Sequence, residues 1–208
     1  MSGYSHLAGF VFFLAGTVAL AIKAQGGLQM FAFLVFGISA VLLYGASAWY
    51  HLFGSSPEKI GLMRKLDHAF IYLLIAGTFT PFCLVLTNGF WRLALFVLIW
   101  AIAGVGTIGI FFRSFWNFFP RWAYTGLYLA MGWLGVTLAY PLRRYHAVLA
   151  LLLAGGIFYS IGAAIYTLKR PNLSKKFGFH ELFHCFVLAG TISHFYCIYH
   201  YVAQGQMQ

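Results

Sequence analysis

Acidic residues are almost missing from this chain: Asp and Glu number 3 in 208 positions, against 13 Lys and Arg. Only 8% of the residues are charged, where ordinary soluble domains carry about 25%, so water cannot solvate most of this surface. Cysteine is scarce as well, with 3 residues. Cys83, Cys185 and Cys197 fall inside apolar runs and form no C-x-x-C pair, which argues against a disulfide framework or a thiolate metal site. They read as small buried hydrophobes. A basic stretch ahead of the first apolar run and a convincing cleavage site after it are both missing, so that run reads as a retained span and not a signal peptide. No amphipathic insertion segment is found either, which speaks against a pore former in a host membrane.

What the chain has in abundance is apolar surface, 62% hydrophobic and 20% aromatic residues. Seven apolar runs cover residues 7–22, 28–53, 66–86, 91–112, 122–142, 145–168 and 179–202. Each approaches or exceeds the ~20 residues that a membrane-spanning helix needs. Short connections carry the turn formers Gly26-Gly27, Gly54-Ser55-Ser56-Pro57, Asn88-Gly89 and Pro171-Asn172, leaving no room for a soluble domain. The expectation is an all-α, polytopic membrane protein: one domain, residues 1–208, forming a bundle of seven transmembrane helices. Pro81, inside the third run, predicts a kink. The net charge of +10 sits in the short loops, so membrane lipids and topology explain it better than nucleic acid does. One side receives Lys59, Arg64, Lys65, Arg113, Arg121, Lys169, Arg170, Lys175 and Lys176, and the other only Lys23, Arg92, Arg143 and Arg144. By the positive-inside rule the first side faces the cytoplasm, with the N-terminus, while the tail from Ala203 to Gln208 lies outside. The setting expected is the plasma or inner cell membrane.

Chemistry concentrates in His180-Glu181-Leu182-Phe183-His184. Residues four apart on a helix project together, so the two imidazoles can share one metal ion. Histidine at the end of a bilayer-spanning run is costly unless it has a task. The topology delivers Glu58, Asp67 and His51 to the same membrane depth, so a third ligand is available near the cytoplasmic face. Ser47 lies one turn before His51 on the same helix face. Several readings stay open beside this one. The histidines suit a polar cap, Asp67 suits a helix N-cap, and Ser47 suits a hydroxyl bonded to its own backbone. Glu181 completes H-E-x-x-H and is either a general base or an acid favoured at a helix N-terminus. His194 lies about 15 Å further along the helix, too far to share the ion; it lines a cavity or bonds a neighbouring helix. His6, His146 and His200 flank span ends and call for no special role.

Three stretches, SAWYH, KLDHAFIYLLIAGTFTP and HELFHCFVLAGTISHF, together resemble the progestin and adipoQ receptor family, and its bacterial hemolysin III branch in particular. That resemblance implies a zinc ion held by His51, His180 and His184, with Asp67 contacting the zinc-bound water and Ser47 in the motif's serine position. It also implies kinship with alkaline ceramidases, hence zinc-dependent hydrolysis of a membrane lipid amide or ester with Asp67 and Ser47 as catalytic groups. No long domain precedes the first span, so no hormone ligand is expected. The competing class is a non-enzymatic membrane sensor or homeostasis protein whose zinc is structural, with cytolysis a secondary effect. Cobalt or iron would accept the same ligands.

Overall fold

The structure, a computed structural model, describes residues 2–53, 57–112, 120–174 and 177–204. The expected turn at Gly54-Ser55-Ser56, the basic residues Arg113, Lys175 and Lys176, and positions 205–208 lie outside the described residues. Seven helices follow one another and no strand occurs among the described residues: α1 (Ser2–Lys23), α2 (Gly27–Phe53), α3 (Pro57–Pro81), α4 (Gly89–Phe111), α5 (Arg121–Trp133), α6 (His146–Leu168) and α7 (Phe179–Cys197). Six of them, all but α5, are long and apolar enough to cross a bilayer. Their outward faces carry an apolar belt that includes Val18, Ile22, Val97 and Val105, all exposed, as lipid-facing side chains must be. The chain is an all-α polytopic membrane protein.

Three helices change pitch near an end, and local chemistry explains two of the changes. Pro81 has no N–H to give the carbonyl one turn back, and the helix passes there from α3 into a π turn over Phe82–Leu86. Thr78 and Thr80 donate to the carbonyls of Leu74 and Ala76, at 2.8 Å each, taking their hydroxyls out of the apolar interior. In the fifth apolar run Gly132 and Gly135 weaken the α-helix, and α5 gives way to a 3-10 segment over Leu134–Ala139. The 13 and 6 residues of the two pieces reach about 31 Å at about 1.5 and 2.0 Å per residue, close to a hydrocarbon core of about 30 Å. The uniform fifth helix expected over 122–142 is therefore corrected to two pitches. α7 likewise ends in a π turn, Ile198–Val202, for which we have no physical account.

The interior is aromatic. Phe13, Phe33, Phe36, Tyr44 and Phe82 have no exposed surface, and Phe13 stacks on Tyr44 with ring centroids 5.2 Å apart. One polar knot ties three helices through this interior: Thr191 donates to the Val187 carbonyl at 3.0 Å and accepts from Tyr44 at 2.6 Å and Tyr159 at 2.8 Å. All three hydroxyls are thereby satisfied in a place where an unmet one costs about 1–3 kcal/mol. Cys83 and Cys197 are buried as expected, but Cys185 is exposed, because position 185 faces away from the bundle one residue after His184.

Candidate metal centre

His51 stands two residues before the end of α2, and His180 and His184 occupy the first two turns of α7. α1 packs against both α2 and α7, and the end of α2 meets the start of α7. Each of the three residues offers a ring nitrogen, and all three nitrogens lie within 4.8 Å of one another. The His51 and His180 Nε2 atoms are 3.3 Å apart. A tetrahedral ion with bonds of about 2.05 Å holds two ligand nitrogens about 3.35 Å apart, so this pair already has the spacing of one edge of such a site. Among the described residues no fourth His, Cys, Asp or Glu joins the group. The donor set fits a borderline-soft divalent ion such as zinc, and these three side chains could hold one.

Below the triad a cavity of about 150 Å³ runs into the bundle. Its walls follow from helix periodicity. α7 contributes His180, His184, Val187 and His194, at intervals of four, three and seven, and α3 contributes Asp67, Ile71, Leu74 and Thr78, at intervals of three to four, so each set lies along one helix face. α5 and α6 close the other side with Tyr128, Leu129, Tyr159 and Ala163. The result is a polar head, where Asp67 and two of the three histidines meet, above an apolar shaft.

The other residues singled out from sequence fall as follows. Asp67 lies ten residues inside α3, which begins at Pro57, so it is not an N-cap; it faces the cavity. Ser47 is fully buried, and its hydroxyl faces the Asp67 carboxyl but closes no hydrogen bond among the described residues. Glu181 accepts from the Gly178 N–H at 2.9 Å, closing the start of α7. That contact explains it as a helix-end acid, and it stands outside the metal group. His194 does both things expected of it: it borders the cavity and its Nε2 reaches the Leu152 carbonyl of α6 at 3.3 Å. A Cβ on Gly155 would collide with the His194 ring, so glycine there is what admits it.

Three participants were not legible in the sequence. His68 also borders the cavity, and its Nδ1 lies 3.1 Å from the Tyr128 hydroxyl, which in turn donates to the His68 carbonyl at 3.1 Å. His6 stacks directly on His184, with ring centroids 3.6 Å apart. The first apolar run begins at Leu7, which places His6 outside the span by sequence; the helix begins at Ser2 and carries His6 inward.

Comparison with known proteins identifies the family. The family model described as "Haemolysin-III related" matches residues 1–195. The chain belongs to this family. It is 40% identical to "Hemolysin-3" of Bacillus cereus over 176 residues, covering 82% of this chain and 75% of that one. The "Hemolysin-3 homolog" of Bacillus subtilis (strain 168) is 38% identical over 175 residues, 82% of this chain and 76% of its own. More distantly, the chain is 27% identical to the "Adiponectin receptor protein" of Drosophila melanogaster over 221 residues, covering 94% of this chain but 48% of that receptor. The kinship read from SAWYH, KLDHAF and HELFH is thereby established at the level of family.

Proposed function

We propose that this haemolysin-III-type chain is a zinc-dependent hydrolase acting on an amide or ester of a membrane lipid. The observation that carries the reading is the junction of three converging imidazoles, two of them at the edge spacing of a tetrahedral site, with a carboxylate-bearing apolar cavity in the bundle. An ion held by His51, His180 and His184 would supply Lewis acidity and make water acidic enough to yield hydroxide near neutral pH. Closed structural sites are filled by four protein ligands, and three suit a site that keeps one position for chemistry. This favours hydrolysis over a purely structural zinc.

The chain's own groups divide the remaining work. Asp67, at the cavity head, takes the proton of the attacking water at a carboxylate oxygen and returns it to the departing amine or alcohol. Ser47, buried on α2 with its hydroxyl facing that carboxyl, would donate to it once Asp67 is ionised. The shaft, lined by Ile71, Leu74, Leu129 and Ala163, accepts an acyl chain and keeps water from the reacting bond. On the charge asymmetry of the loops, the site faces the cytoplasmic leaflet of the cell membrane.

The test is release of fatty acid from a ceramide and from an ester lipid in mixed micelles, followed by mass spectrometry. Wild type should form product from at least one, and Asp67→Asn should be slower by about 10²- to 10⁴-fold with its metal retained. Product formation equal in the two proteins, or none in zinc-loaded wild type, sinks the proposal.

A further inference from the structure

His6 sits inside the metal centre without belonging to its ligand set. The start of α1 approaches the end of α2 closely: a Cβ on Gly3 would lie 2.7 Å from the Leu52 side chain and 3.2 Å from the His51 Cβ, so a residue without a side chain permits the contact. One turn on, the His6 ring covers His184, their planes 12° from parallel. Its position is fixed from a second direction by the edge-on ring of Tyr44, centroids 5.0 Å apart, and Tyr44 is anchored by its 2.6 Å bond to Thr191.

The stacking says what His6 is not. An imidazole lone pair lies in the plane of its ring, so two nearly parallel rings cannot converge on one ion, and an ion held in the plane of His184 is a ring's thickness away from that of His6. What the stack does is restrict rotation of the His184 ring. Phenylalanine would stack equally well, however, and without two nitrogens to satisfy. His6 is 3% exposed, and neither nitrogen has a hydrogen-bond partner among the described residues. Leaving both unmet in the bundle interior is unfavourable. His6 also borders the cavity head that Asp67 and His184 border. A buried ring with two unanswered nitrogens at that place is suited to a small polar occupant such as water.

We infer that His6 is a positioning residue of the metal centre, which holds the ring of His184 by stacking and supplies a hydrogen bond to the polar occupant of the cavity head. The inference rests on the metal reading above. Its test uses the full chain in detergent, with zinc affinity measured against a chromophoric chelator and cobalt(II) as a visible-absorption probe of the site. His6→Ala should lower zinc affinity about 10- to 100-fold, the range seen when an outer partner of a metal ligand is lost, and shift the cobalt bands. His6→Phe keeps a ring to stack on His184, so it should bind zinc more tightly than His6→Ala while still lacking the wild-type cobalt spectrum. If both variants bind zinc like wild type with unchanged cobalt spectra, the inference is overturned and the metal centre stands. It is overturned too if His6→Ala merely lowers the Tm of the zinc-free protein and leaves the cobalt spectrum unmoved. A folded wild type that binds neither ion removes the metal reading, and this inference with it.

Discussion

Among the described residues Asp67 and Glu181 are the two acids close to the histidines, and their environments suit them to different tasks. Glu181 is engaged with the backbone at the start of α7, whereas Asp67 looks into the cavity beside an unbonded serine. Glu181→Gln keeps an acceptor for the Gly178 N–H and loses only the charge favoured at a helix start, so stability should fall by about 0.3–1 kcal/mol, seen as a slightly lower Tm, with metal content and turnover maintained. Loss of turnover on that change, with zinc kept, would return the H-E-x-x-H reading and demote Asp67. The Tyr44 hydroxyl makes a different prediction, because it closes a knot between α2 and α7. Tyr44→Phe removes one hydrogen bond and should lower stability by about 1 kcal/mol, measured by chemical or thermal unfolding in detergent. An unchanged midpoint would mean that Tyr159 alone satisfies Thr191.

At the scale of helices, the bundle owes its cavity to where small residues stand. Gly155 lets α6 meet the His194 ring, whose Nε2 reaches the Leu152 carbonyl. Gly155→Ala should push that ring away or part the two helices, at about 1–3 kcal/mol of overpacking; the drop in Tm should be largely relieved in the double variant with His194→Ala. Additive losses in the double variant would show that the two residues do not oppose one another. Much of this was legible in the sequence. Long apolar runs gave the helices, Pro81 marked the change of pitch in α3, and the four-residue spacing of His180 and His184 put both on one face. Other features depend on neighbours that no periodicity reveals. The break between Trp133 and Leu134 splits what reads as a continuous run, Cys185 faces outward where burial was expected, and His6 entered the centre only because α1 starts earlier than its apolar run.

For the whole molecule, His6, His51, Asp67 and His184, from four helices far apart in sequence, converge on one site, and most of the basic residues fall in the connections on that side. Reporter fusions should accordingly place the N-terminus in the cytoplasm and the C-terminus outside; the opposite result would put the metal centre at the outer leaflet and overturn the orientation proposed for it. His51 was legible as a candidate ligand only through topology and family resemblance, since nothing in its immediate sequence points to a residue 129 positions away. That convergence is the central claim, and metal content per chain tests it most directly. Detergent-purified wild type should carry about one zinc, and His51→Ala, His180→Ala and His184→Ala should each lose most of it while remaining helical by circular dichroism. A well-folded wild type without metal, or variants that keep their zinc, would contradict the account and leave the three imidazoles as polar packing groups.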